Sequence, residues 1–255
     1  MKTLANAFRL ALLLVIAYIC SSGRIEASNE AAYHRMFAGS SPTSLNLIIA
    51  HPDDEVMFFA PTLLQLDARL TGSVTVRVIS LTNGGADGLG EVRTHELQDA
   101  VQLLMRRNQP LVTVLGYPDG MDQVWDVEET SRAVKALMVD ESPIILTFDD
   151  QGISNHINHI SCFKAVQRLK ASLPHSRCYR LVSKSSVLQK YTSFVPALLH
   201  VFKPNEHLVF VSSFPQYLLS FASMLNAHVS QMVWFRYGWW FFSYYVFANE
   251  IQEFS

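Results

Sequence analysis

The amino-acid sequence predicts an α/β fold, a mainly parallel sheet flanked by helices, with a hydrophobic membrane segment at its N-terminus. Three observations carry that expectation. Apolar, β-branched runs alternate with stretches of helical periodicity from Thr43 to about Pro174, which is the pattern of βαβ units. Two of the apolar runs end abruptly in histidine and aspartate, and ligands collect outside the carboxyl ends of strands in open sheets of this kind. Finally, hydrophobic residues make up 49% of the chain, above the usual soluble average, and the excess is concentrated at its two ends.

In chain order, Leu10–Cys20 is continuously apolar apart from Tyr18, with Lys2 and Arg9 before it and Ser21-Ser22-Gly23-Arg24 after it. A secretory signal fits that description, and so does a short membrane anchor, since a spanning helix wants about 20 apolar residues. Residues 23–42 read as a linker. Thr43–Ala50 is expected as the first strand, Glu55–Leu70 as a helix, and Ser73–Thr82 as a second strand rich in Val, Thr and Ile. Asn83–Gly90 then breaks the pattern with glycine and aspartate just past a strand end, a place where substrate contact is expected. Val92–Arg107 is expected as a helix with Leu97, Val101 and Leu104 on one stripe and Arg106-Arg107 near the end where the dipole prefers cations.

Leu111–Leu115 is the next expected strand, Tyr117–Asp122 a loop at the rim of a pocket, Asp126–Val139 a helix, and Pro143–Phe148 a strand. Beyond Pro174, Tyr179–Leu188 and Leu208–Ser213 read as edge strands, with Phe194–Val201 and Tyr217–Gln231 as helices. The last segment, Val233–Phe247, holds three of the four tryptophans. It is either a core-packed terminal helix or an aromatic element lying at a bilayer surface. The chain thus divides into a hydrophobic segment (1–22), a linker (23–42), a main domain (43–229) and an aromatic segment (230–255).

Composition excludes some classes of function. The 255 residues suffice for one large α/β domain, and a net charge of −2 speaks against a nucleic-acid partner. Three cysteines, Cys20, Cys162 and Cys178, show no paired spacing, so neither a disulfide framework nor a zinc ribbon is expected.

The chemistry concentrates in two places. Leu47-Ile48-Ile49-Ala50 runs into His51-Pro52-Asp53-Asp54-Glu55. Pro52 fixes its own φ and turns the chain, so that His51 and Asp54 converge while Asp53 points elsewhere. One histidine and one aspartate make two ligands of a divalent ion, and catalytic zinc usually takes three protein ligands. The third comes from His156-Ile157-Asn158-His159, which follows the apolar run Ile144-Ile145-Leu146 and opens a helix capped by Ser154 or Asn155. Residues three apart share a helix face, so both histidines can look toward His51.

Ala50-His51-Pro52-Asp53-Asp54-Glu55, the Thr82–Gly90 segment followed by Arg93 and Glu96-Leu97, and Gly152–His159 together resemble the PIG-L family of de-N-acetylases. Met57-Phe58-Phe59-Ala60-Pro61-Thr62 resembles its eukaryotic branch, whose members deacetylate N-acetylglucosaminyl-phosphatidylinositol in the second step of glycosylphosphatidylinositol (GPI) anchor synthesis. The resemblance runs from about Leu45 to the C-terminus. It implies a Rossmann-like fold and a hydrolase dependent on a divalent metal, most simply zinc, with residues 43–229 as the catalytic domain. It makes His51, Asp54 and His159 the metal ligands, Asp53 the general base, His156 the partner of the oxyanion and leaving group, and Arg93 a substrate-binding residue. Two positions depart from the family pattern: Gly85 stands where Asn is usual, and Asn155 where Gly is usual.

The residue types suit the chemistry. A bound Zn²⁺ lowers the pKa of water to roughly 7 and polarises a carbonyl, and a carboxylate beside the metal ligands can carry the proton from water to the departing amine. The resemblance also implies a retained single-pass anchor in the endoplasmic-reticulum membrane, a cytosolic catalytic domain and a glycolipid substrate. Lys2 and Arg9 favour the reverse orientation. A soluble or secreted deacetylase of another GlcNAc-containing sugar, and a non-catalytic membrane scaffold, are the alternatives; the intact ligand set disfavours the scaffold.

Overall fold

The six residues of the run Ser44–Ile49 are all buried, as a strand covered on both faces requires. This strand, β1, lies in the interior of the sheet, between the strands Thr75–Ser80 and Pro143–Thr147. The computed structural model describes residues 2–138, 142–203 and 207–254; Met1, Val139 and Ser255, where expected segments begin or end, lie outside them. Among the described residues, β1, β2 (Thr75–Ser80), β3 (Leu111–Val114), β4 (Pro143–Thr147), β5 (Arg177–Leu181), β6 (Leu208–Val211) and β7 (Ala248–Phe254) form one sheet in the order β3-β2-β1-β4-β5-β7-β6. Pairing is parallel from β3 across to β5, whereas β7 runs antiparallel to both of its neighbours. The order reverses at β1 and β4, and a cleft opens at such a switch point.

The helices are α1 (Lys2–Cys20), α2 (Ser22–Met36), α3 (Asp54–Met57), α4 (Ala60–Arg69), α5 (Gly90–Leu104), α6 (Val127–Ala136), α7 (Gly152–Asn155), α8 (Ile157–Lys170), α9 (Val187–Lys190), α10 (Val195–Phe202), α11 (Phe214–Ala227) and α12 (Trp234–Phe242). α2, α4, α5 and α11 pack on one side of the sheet, while α6 and α8 pack together beside β1, β4 and β5.

Four segments differ from the sequence reading, each for a physical reason. Residues expected as a linker form α2, which buries Ile25, Asn29, Ala32 and Met36 on one stripe. The Asn29 side chain accepts from Val211 N–H at 2.8 Å and donates to Val211 O at 2.9 Å, so it occupies part of the free edge of β6. The helix expected over Glu55–Leu70 is broken into α3 and α4, because Pro61 has no N–H to continue it and instead sits in the first turn of α4. Tyr179–Leu188 is extended only as far as Leu181, and a capping box at Ser186 and Gln189 starts α9. Ala248–Phe254, read earlier as the tail of the aromatic segment, is β7 inside the sheet.

α1 is the one described helix long and apolar enough to cross a membrane, by its length and composition. It is exposed except near its end, where Tyr18 is buried, stacks on Phe194 and donates its hydroxyl to Ser212 O at 2.6 Å. α12 has two characters: Trp240 is fully buried, while Trp234, Phe235, Phe241 and Phe242 are exposed.

Candidate metal centre

The strand end of β1 folds back on itself through Asp54. Its Oδ2 accepts the backbone N–H groups of Ala50 at 3.0 Å and His51 at 2.8 Å, which fixes the carboxylate at the start of α3 and turns Oδ1 toward His159. Oδ1 lies 3.2 Å from His159 Nε2, and Oδ2 lies 3.6 Å from His51 Nδ1. One donor atom from each of His51, Asp54 and His159 falls within 4.8 Å of the others, and all three residues are buried. The three residues expected as ligands therefore do meet.

The remaining nitrogen of each histidine is already engaged. His159 Nδ1 lies 3.1 Å from Gly152 O, while His51 Nε2 lies 3.0 Å from Asp119 Oδ1 and 3.2 Å from Asn158 Oδ1. Metal-ligating histidines usually have their second nitrogen tied in this manner, which orients the ring and sets the tautomer. The electrostatics point the same way. Although burial disfavours a charged His51, Asp119 and Asp54 overcome it and raise its pKa to about 10. Asp54 is held well below the usual carboxylate range, burial being outweighed by His159 and His51. The pocket thus stabilises positive charge among these side chains, and a divalent ion would displace a proton there. The donor set of one carboxylate and two imidazoles fits zinc.

The second motif is placed by Asp149. Its carboxylate accepts from the N–H groups of Gln151, Gly152 and Ser183 and from the Ser183 hydroxyl. That arrangement holds α7 in an unusual turn with positive φ at Gly152, Ile153 and Asn155. A Cβ at Gly152 would come within 3.0 Å of His159 Cβ, so the close approach requires glycine. Asn155, at φ 60°, explains one departure from the family pattern, because Asn tolerates the left-handed region better than most residues.

His156, and not Ser154 or Asn155, caps α8: its Nδ1 accepts the Asn158 N–H at 3.3 Å. Its ring centroid lies 4.8 Å from that of His51 and 4.6 Å from that of His159. Burial, then the neighbouring His159 and His51, push its pKa down to about 4, so at neutral pH the imidazole is uncharged and carries its proton on Nε2.

Asp53 has φ 134°, a backbone conformation that costs energy and is found where the surroundings enforce it. Its N–H donates to Glu55 Oε2 at 3.0 Å. Two arginines converge on its Oδ2, Arg236 Nη2 at 2.7 Å and Arg93 Nη2 at 3.7 Å. Arg93 also donates to Gly84 O at 2.8 Å and Pro52 O at 3.0 Å. A Cβ at Gly84 would lie 2.4 Å from the Arg93 guanidinium carbon, so this glycine gives the arginine its room.

Behind this loop, Glu55 Oε1 pairs with His228 Nε2 at 2.6 Å, and the far side of His228 faces Glu96 at 3.9 Å. Burial opposes a charged His228, but Glu55 and then Glu96 raise its pKa to about 9. Glu96 falls to about 2, as hydrogen bonds from His228, Ser230 and Gln231 outweigh its desolvation. Sequence reasoning missed Arg236, Asp119, Asn158 and this buried network. Asp119 lies in the loop expected at the rim of the pocket and Asn158 between the two histidines expected at the start of a helix; Arg236 lies inside the run of aromatic residues expected at a bilayer surface or in the core.

Comparison with known proteins decides the family. The family model described as GlcNAc-PI de-N-acetylase matches residues 46–170. N-acetylglucosaminyl-phosphatidylinositol de-N-acetylase of Saccharomyces cerevisiae is 37% identical, with 100% of this chain and 96% of that protein covered. The chain belongs to the PIG-L family. A probable N-acetylglucosaminyl-phosphatidylinositol de-N-acetylase of Schizosaccharomyces pombe is 32% identical over 82% of this chain and 86% of its own length. Among solved structures, N,N'-diacetylchitobiose deacetylase from Pyrococcus horikoshii shares the fold at a TM-score of 0.55 and 14% identity, covering 83% of this chain and 84% of its own. A deacetylase of teicoplanin biosynthesis does so at 0.56 and 12%, covering 84% and 99%.

Proposed function

We propose that this protein hydrolyses the acetamide of N-acetylglucosaminyl-phosphatidylinositol, releasing acetate and leaving the free amine, in the second step of GPI-anchor synthesis. The observation that carries this reading is the buried His51, Asp54 and His159 cluster with its second nitrogens already tied down; the names of the relatives supply the substrate class. His51, Asp54 and His159 would hold a zinc ion. Bound there, it would supply Lewis acidity toward the amide carbonyl and lower the pKa of a water to roughly 7.

The chain's own groups do the rest. Asp53, clamped by Arg236 and Arg93, takes a proton from the attacking water and returns it to the amine nitrogen as the C–N bond breaks. His156 donates its Nε2 proton to the carbonyl oxygen as that oxygen gains charge, and a neutral imidazole suffices for this role. Arg93, at the Gly-rich loop, and the cleft of about 460 Å³ between that loop and Asp119 would receive the sugar.

The membrane assignment rests on α1 and on the exposed aromatic side of α12. The docking of Tyr18 onto Ser212 and Phe194 supports an α1 retained as an anchor in the endoplasmic-reticulum membrane, with the catalytic domain on the cytosolic side. The test is direct. Purified full-length protein should hold about one divalent ion per chain and release acetate from the glycolipid but not from free GlcNAc. Equal release from both would support a deacetylase of soluble sugars in its place. Protease protection of a C-terminal epitope in sealed microsomes reads the orientation: cleavage is expected, and protection would reverse it.

A further inference from the structure

Arg236 is a side chain at this site whose hydrogen-bonding capacity is not all used. It holds a 2.7 Å ion pair with Asp53 Oδ2, the oxygen that Arg93 approaches only to 3.7 Å, so the Arg236 guanidinium is anchored beside the proposed base. Guanidinium carries five N–H donors. In Arg236, Nη2 meets Asp53, Nη1 faces the soft sulfur of Met57, and Nε is buried without a hydrogen-bond partner. The same side chain lines a cavity of about 580 Å³ whose other walls are mainly apolar, from Met57, Tyr191, Phe235, Trp239 and Phe242. Gly238 completes the lining; a Cβ there would meet nothing within 4 Å, although glycine is a poor helix former. The exposed rings of Trp234, Phe241 and Phe242 lie on the same helix.

A planar cation with spare donors, set in an apolar wall, is the arrangement that recognises a phosphate group linked to an apolar chain. We propose that Arg236 is the receptor for the substrate's phosphodiester, and that the cavity beside it takes the glycerol and the first methylenes of the lipid. This rests on the substrate reading above, in which the phosphodiester lies one ring beyond the acetamido sugar. α12 then joins specificity to chemistry, with one guanidinium touching both the proposed base and the part of the substrate that marks it as a glycolipid.

The experiment compares kcat/KM of the full-length chain, in phosphatidylcholine vesicles, for three substrates: GlcNAc-inositol, its glycerophosphodiester, and GlcNAc-phosphatidylinositol. Wild type is expected to favour the glycerophosphodiester over GlcNAc-inositol by roughly 10- to 100-fold, the range for a charge-assisted hydrogen bond. R236Q should bring that ratio near one, and R236K should restore part of it. An R236Q ratio equal to that of wild type would overturn the proposal and leave the guanidinium as a clamp for Asp53 alone. G238L should lower the ratio of glycolipid to glycerophosphodiester about tenfold; no change would remove the lipid from the cavity. Calorimetric binding of glycerophosphoinositol gives a readout independent of turnover, expected to weaken about tenfold or more in R236Q. Inorganic phosphate binding as tightly as glycerophosphoinositol would overturn the assignment. Arg236-dependent binding by a wild-type protein that deacetylates none of the three substrates would support the receptor and sink the proposed function.

Discussion

The half of the sheet around β1 and β4 and the half around β5, β7 and β6 contribute to the site in different ways. In the first, strand ends carry the donors directly: His51 and Asp54 follow β1, and His159 lies on the helix after β4. In the second, no strand end bears a proposed ligand. That half contributes through packing, by placing α11, the turn at His228 and α12 against the β1 loop, so that His228 meets Glu55 and Arg236 meets Asp53. Chemistry encoded in short motifs is thus positioned by residues that belong to no motif.

The largest expected effect separates holding the metal from using it. His159→Ala should lose most of its divalent ion and its turnover, read by elemental analysis beside the acetate assay. Unchanged metal content would remove His159 from the ligand set. Asp53→Asn should keep the metal while losing about 10²- to 10⁴-fold in kcat, the range for general acid–base catalysis. His156→Ala should cost roughly 10²- to 10³-fold in kcat with metal retained; a loss in KM alone would place His156 in ground-state binding instead.

The supporting half is tested by stability. His228 is fully buried, so His228→Leu leaves Glu55 without its partner and should destabilise the fold by roughly 3–5 kcal/mol in denaturant titration. Because folding raises the His228 pKa from 6.5 to about 9, the stability it contributes is complete below pH 6.5 and fades as pH rises through 9. The gap between wild type and variant should narrow over that window. A gap that widens with pH would mean the imidazole is buried neutral. The smallest effect belongs to Tyr18→Phe, which removes one hydrogen bond to Ser212 and should cost about 1 kcal/mol.

How far the sequence could be read follows the same division. The β1 and β4 half was legible because a buried parallel strand is a continuous apolar run, and because the PIG-L motifs sit at strand ends. α2 was not, since it buries only a narrow stripe on an otherwise polar helix. β7 was hidden for a related reason. Asn249 and Glu250 interrupt its apolar pattern, and the burial of Asn249 makes sense only once Phe58, Thr62 and Tyr245 surround it. The role of Arg236 depends on a contact with Asp53 far along the chain, and local sequence carries no trace of such a contact.

β7 inserts between β5 and β6, although β6 precedes it in the chain. During synthesis β6 therefore leaves the ribosome before the strand that ties it to the rest of the sheet. The N-terminal helices wait as well, since the partner of Tyr18 lies 194 residues downstream. Long-range pairings of this kind form late and slowly, and until they do an open strand edge is exposed to chaperones and to aggregation.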